Sequence, residues 1–322
     1  MPSKPIRQLL AAVGVFAVVG AGVAALLVFG GEDEAARPPP SPTRTPSSSP
    51  NPPPPRDPVL VVKIDNVQAA RPHTGLAAAD VVYVEPVEGG LTRFAAVYSS
   101  RLPGVAGPVR SARETDAELL AQYGRPTLAF SGAAPEIMPV LRKAPLRIVT
   151  ERGRPGAYFR DGARPRPHNL FVRPERLPMG HGPGPQRVLD RGPAPPGGAP
   201  VGERTVRYRG ASYGFRWSGD RWLVSLNGTP LRSAGAGQVG AATVVVQRVA
   251  IREGRRVADS AGSMSPVAKT VGTGQASVLR DGKVYPVTWS RPTARHGTTF
   301  TKPSGQQVPL APGRVWVLLV PR

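Results

Sequence analysis

Two apolar runs, VVYV at 81–84 and FAAVY at 94–98, are joined by a short connection centred on Glu88, Gly89 and Gly90. β-Branched and aromatic residues favour extended backbone, and runs this close in sequence have little choice but to pair as a hairpin. The hairpin brings Glu85 and Glu88 to the same end as Arg93, and the following GPVRSAR supplies a second polar edge carrying Arg110, Ser111 and Arg113. Carboxylates and guanidinium groups therefore converge on a small area, which is the candidate site.

Other residues join it from strand and loop positions. The run VLVVKI, beginning at Val59, reads as a buried strand, and Asp65 and Asn66 stand where it stops. Polar residues at a strand end either serve a site or cap the next turn. His168 and Asn169, in the motif PHN, lie far along the chain; they read either as a histidine and amide closing over the cleft or as hydrogen-bonded loop residues.

Charge and compartment narrow the function. A net charge of +21 suits anionic partners, whether nucleic acid, acidic headgroups or wall polymers. Lys4 and Arg7 precede an apolar run from Leu9 to Phe29, and Glu32, Asp33 and Glu34 follow it. That run is long enough to cross a hydrocarbon core of roughly 30 Å, and the basic side is expected to stay cytoplasmic. Residues 1–8 are then a cytoplasmic stub and 9–29 a single-pass anchor, with everything after it outside the cytoplasm. The alternative is a long signal peptide cut near Gly20 to Ala25, which secretes the protein. Either way nucleic acid falls down the list of partners. The expected partners are an anionic or glycan polymer of the envelope, an envelope protein, and the membrane through Leu9 to Phe29.

Cysteine is absent, which removes disulfides, thiol nucleophiles, cysteine zinc sites and lipidation of an amino-terminal cysteine. The four histidines, at 73, 168, 181 and 296, never fall in an HxH, HxxH or HxxxH spacing, so no metal site is expected, and no cofactor. Ser111 lacks the flanking glycines of a nucleophile elbow. Glu85 and Glu88 with Asp65 could supply the acid and base of a glycan hydrolase. Beside arginines, however, carboxylates tend to stay ionised, which disfavours a raised-pKa acid. The candidate roles are a ligand-binding cleft, a hydrolase acting through Glu85 or Glu88, and a structural or protein-binding module held by ion pairs.

Residues 30–58 are dominated by proline, serine and threonine, a composition that buries little and favours an extended spacer. Between 59 and 180 strands alternate with short helices, expected at Glu114–Tyr123 and from Pro135, which implies a layered α/β or α+β domain. Glycine and proline dominate 181–203, read as a linker. From 204 to 322 the pattern is strands alone, with hairpin turns expected at Asn227-Gly228, Asp281-Gly282 and Ser304-Gly305, giving a mainly-β domain. Val315 to Val320 is apolar on both faces and reads as a central strand. Trp217, Trp222, Trp289 and Trp316, with Tyr213 and Phe215, read as core, with sugar stacking the alternative.

IDN with the later ARP and AD, then EGGLTRF, GPVRSAR and PHNLF, occur in an order and spacing that resemble the YerB-like envelope proteins, a two-domain family of unknown function. TVVVQRVAI, GTGQASVLRDGKVYPVTWSR and LAPGRVWVLLVP resemble its second domain. The resemblance implies a layered α/β domain followed by a β-rich one, and it supplies no catalytic residues. Many members look like lipoproteins; this chain has no cysteine to accept a lipid and carries the apolar run instead. Alanines in Ser131 to Pro135 also depart from the family pattern.

Overall fold

Alternating buried side chains on both faces organise the main sheet of the computed structural model, which describes residues 56–254 and 264–322. These residues belong to one compact unit, Pro52–Arg322. The strands of the sheet are β1 (Asp57–Ile64), β2 (Val81–Pro86), β3 (Thr92–Tyr98), β4 (Thr127–Phe130), β5 (Arg147–Thr150), β6 (Thr243–Val249), β7 (Gly272–Arg280), β8 (Lys283–Arg291), β9 (Thr299–Thr301) and β10 (Val315–Pro321). Their order across the sheet is β9-β8-β7-β6-β10-β2-β3-β1-β4-β5. β10 lies parallel to both neighbours, with Trp316 opposite Val244 on one side and Val82 on the other. The VWVLLV sequence suits that place, because a strand covered on both faces must be apolar throughout.

Two consequences follow from the pairing. The early strands (β1–β5) and the late strands (β6–β10) share one sheet, joined where β10 meets β2. β1 also pairs parallel with β4, and β4 with β5. Since β3 is antiparallel to both β1 and β2, the carboxyl ends of β1, β2, β4, β5, β6 and β10 all reach the same edge. Ligand sites in parallel sheets form outside such carboxyl ends.

Each face of the sheet has its own cover. Leu60, Val62, Phe94, Trp316 and Leu318 pack against a smaller antiparallel sheet built from Glu203–Arg207, Ser212–Trp217 and Trp222–Leu226, through Tyr213, Phe215, Trp222 and Val224. Val61, Tyr83, Val97 and Val317 face α1 (Thr115–Leu119), its 3-10 continuation Leu120–Tyr123, and α2 (Met138–Lys143). Strands dominate and the helices are short. Trp222, Trp289, Trp316, Tyr213 and Phe215 are buried, as core residues should be, whereas Trp217 is half-buried, its ring 5.2 Å from that of Trp222.

Local turn chemistry holds where the sequence placed it. Asn227 and Gly228 take φ of 51° and 77°, and Asp281 and Gly282 take 53° and 68°. These left-handed values make two-residue hairpin turns whose twist matches the flanking strands. Lys302 N–H donates to Gln306 O across the Ser304-Gly305 turn at 2.8 Å. The helix expected over Glu114–Tyr123 tightens into 3-10 form after Leu119. Buried Arg291 donates through Nη2 to Glu118 O at 2.7 Å and Leu119 O at 3.2 Å, taking carbonyls that a continuing α-helix would have used. The second helix begins at Met138 rather than Pro135.

The Gly/Pro-rich 181–203 stretch is strapped to the unit: His181 pairs with Pro58, a short helix spans Pro185–Val188, and Pro200 pairs with Lys283 of β8. The anchor expected at Leu9–Phe29 and the spacer up to residue 55 lie outside the described residues. Among the described residues no helix is long and apolar enough to cross a membrane.

Candidate functional site

The segment after β3 runs along the end of β1. Asp65 N–H donates to Pro108 O at 2.9 Å, and Arg110 N–H donates to Lys63 O at 2.9 Å. Val109 N–H in turn donates to Leu170 O at 2.6 Å, which ties the PHNLF segment to the same edge. This stacking needs a glycine at 107: its φ is 152°, and a Cβ there would stand 2.8 Å from a Phe171 ring carbon and 3.0 Å from Leu170 O.

Asp65 is the focus of the cluster that results. Its Oδ2 is approached by His168 Nδ1 at 2.7 Å and by Arg110 Nε at 3.2 Å, while its Oδ1 accepts from Asn66 N–H at 2.9 Å. An ionised carboxylate can only accept, so the shared contact puts a proton on His168 Nδ1 and leaves Nε2 for another partner. The Asp65 side chain is 4% exposed, whereas Arg110 and His168 keep 28% and 20%. The carboxylate is buried, and the two side chains that approach it reach the surface.

Arg93 and Arg113 extend the cluster. Arg113 grips Glu88 with two parallel bonds, Nε to Oε1 at 2.7 Å and Nη2 to Oε2 at 2.7 Å. Burial alone would raise the Glu88 carboxyl; the Arg113 fork outweighs it and holds the group at about 2. Arg93 is 8% exposed, donates Nη1 to Ser111 O at 3.0 Å, and has no partner for Nε among the described residues. Burial draws its guanidinium down to about 10, and neighbouring Arg113 adds to the effect. No carboxylate among the described residues comes within ion-pair distance of it. Ser111 Oγ is 3.5 Å from Ser131 Oγ at the end of β4.

Three of the residues singled out by sequence have other settings. Glu85 faces Arg93 in register across the hairpin, yet its side chain is paired instead with Lys63 Nζ at 2.8 Å. Lys63 also binds Asp116 Oδ1 at 2.8 Å, so a lysine between two carboxylates is sealed beneath α1, with Glu85 fully buried. Burial, aided by Asp116 and opposed by Lys63, lifts Glu85 to about 7. Asn66 donates Nδ2 to Thr92 Oγ1 at 2.9 Å and to the Tyr213 hydroxyl, pinning the small sheet. Asn169 accepts from Arg160 Nη1 at 3.0 Å and donates to Asp161 O at 3.2 Å, stabilising its own loop. Lys63 and Asp116 were missed, although a lysine inside VLVVKI is itself a signal, since a charge in an apolar run needs a partner.

Residues 45–181 match the N-terminal domain, and residues 204–317 the C-terminal domain, of a family described as a protein of unknown function, DUF3048. The chain belongs to this family. It is similar to YerB of Bacillus subtilis (strain 168), a protein named as a lipoprotein, with 51% identity over 59 residues. That alignment spans 18% of this chain and 18% of the relative, well under two thirds of its length. The crystal structure of YerB protein from Bacillus subtilis matches with a TM-score of 0.69 at 19% identity, covering 83% of this chain and 92% of that one. At that identity the likeness shows the fold.

Proposed function

We propose that the protein is tethered to the membrane through Leu9–Phe29, stands outside the cytoplasm, and binds an anionic ligand of the envelope, a glycan bearing carboxylate or phosphate groups. The ligand is held at the carboxyl edge of the sheet by Arg110, Arg93 and His168, with Asp65 positioning two of the three. The observation that carries this reading is Arg93, a buried guanidinium that among the described residues has an unpartnered Nε and no carboxylate of its own. A buried cation is stabilised by a counter-charge, and the three arginines Arg93, Arg110 and Arg113 outnumber the two carboxylates Asp65 and Glu88 beside them. A hydrolase working through Glu85 or Glu88 is less well supported, because Glu85 is sealed and Glu88 is locked in its ionised form.

The test is cosedimentation of the unit Pro52–Arg322, which contains both cores, with purified anionic wall polymer. Salt-sensitive retention without released products is expected, lost in R110A. Soluble products would overturn binding in favour of hydrolysis. Absence of retention at low salt would remove the ligand class and leave a structural or protein-binding module.

A further inference from the structure

A second feature of the same edge lies apart from Asp65. β6, β10 and β2 are adjacent and parallel, and a cleft of about 790 Å³ opens where they end, at Arg248, Pro321 and Pro86. One wall is the hairpin turn Pro86–Gly90; the other is the strand Glu203–Arg207 with Tyr208 and Arg209 beyond it. The volume is in the range of small-molecule sites. The two walls are fastened together: Gly210 N–H donates to Gly90 O at 2.9 Å. Gly90 has φ of 74°, and a Cβ there would meet Arg209 Cβ at 2.7 Å, so the close approach depends on glycine.

The lining has two chemistries. The floor is apolar, with Val206, Val246 and Val320 from the core joined by the partly exposed Ile251 and Met264. The rim carries Arg204, Arg207, Arg209 and Arg248, all exposed, and none makes an ion pair among the described residues. Against these four cations the cleft holds Glu253 and Glu88, and the charge of Glu88 is already taken by Arg113.

We infer that this cleft is a binding site for a single amphiphile, a molecule with an apolar chain and an anionic phosphate-type head. The chain lies on the valine floor and the head is held by the arginine rim. A purely polar anion makes no use of the floor, and a neutral lipid leaves the arginines without a counter-charge. The guanidinium fork matches phosphate oxygens in pairs. Glu88, held by Arg113, stands between this cleft and the Arg93 and Arg110 cluster, but neither Arg93 nor Arg110 lines the cleft, and the inference does not rest on the reading above.

The test uses the unit Pro52–Arg322 and decyl phosphate below its micelle concentration, followed by calorimetry. Saturable binding is expected, with inorganic phosphate and decyl maltoside each weaker by about tenfold or more. The triple variant R204Q/R209Q/R248Q should weaken decyl phosphate by a similar factor while its melting temperature holds, since these exposed side chains make no ion pair among the described residues. R110A, which is expected to lose wall polymer, should still bind decyl phosphate; the two readings can therefore fail separately. Equal affinity for inorganic phosphate would reduce the cleft to a plain anion site and overturn the proposal. So would undiminished binding by the triple variant, or binding confined to phosphatidylglycerol-containing vesicles with no response to decyl phosphate.

Discussion

His168 and Arg110 approach the same oxygen of Asp65, at 2.7 Å and 3.2 Å, one carboxylate thus aligning two partly exposed side chains. The three residues should respond differently to truncation. Asp65→Ala leaves Arg110, His168 Nδ1–H and the Asn66 amide without their acceptor, and a cost of about 1 to 3 kcal/mol is expected, because the two side chains can still reach water. Arg110→Ala removes a side chain that is 28% exposed, and a cost of about 1 kcal/mol or less is expected, with ligand retention lost. Chemical denaturation of both variants decides it. A large loss of stability in Arg110→Ala with normal retention in the folded fraction would make Arg110 a structural partner only.

Glu88 and Arg113 give an acid-sensitive contact. Because Glu88 is held at about 2, below its ordinary value, its contribution is present above about 4.5 and is lost as pH falls through about 2. Glu88→Gln should flatten the fall in melting temperature over that window while lowering stability at neutral pH. Arg113→Lys should not restore it, since a point ammonium cannot make two parallel bonds to the carboxylate. A lysine variant as stable as the parent would show that the fork geometry is irrelevant.

His73 and Glu85 should oppose each other between about pH 4.5 and 6.5. His73 is fully buried, donates Nε2–H to Asp65 O at 2.8 Å, and is pushed down to about 4 by burial. The unfolded chain thus binds a proton that folded His73 refuses, and stability falls as pH drops from about 6.5. Glu85 is raised to about 7, so the folded state keeps a proton the unfolded chain releases, and its stabilisation is lost as pH rises from about 4.5 through 7. The two dependences therefore have opposite sign. Glu85→Gln should remove one of them and expose a stability that climbs with pH across the window. A variant profile parallel to the parent's would refute the pairing of these two groups.

Removing β10 should unfold more than the carboxy-terminal half. β2 is hydrogen-bonded to β10 on one side, and Trp316 packs against Phe94 with ring centroids 5.3 Å apart. A fragment of residues 56–200 would expose that β2 edge and the apolar face under the small sheet. It should aggregate or lack dispersed amide signals in NMR spectra, whereas Pro52–Arg322 should show them. A cooperative, well-dispersed fragment would mean that the early strands hold a core without β10.

The sequence alone determined features governed by neighbours along the chain. The hairpin around Glu88–Gly90 and the turns at Asn227-Gly228 and Asp281-Gly282 follow from local backbone preference, and the two-faced apolarity of Val315–Val320 marks a central strand wherever it inserts. What the tertiary structure decided was which strands flank β10, and therefore which charges meet. Asp65 reaches His168 across 103 residues and Lys63 reaches Asp116 across 53, while Glu85, placed by its register opposite Arg93, turns instead to Lys63. The arginines at 204, 207 and 209 join the hairpin through the small sheet and its neighbouring turn, and Arg248 joins it because β6 and β2 both flank β10. Local preferences act over a few residues, but ion partners are set by strand order and sheet stacking. Those depend on burying one apolar face against another, and no short stretch of sequence encodes that choice.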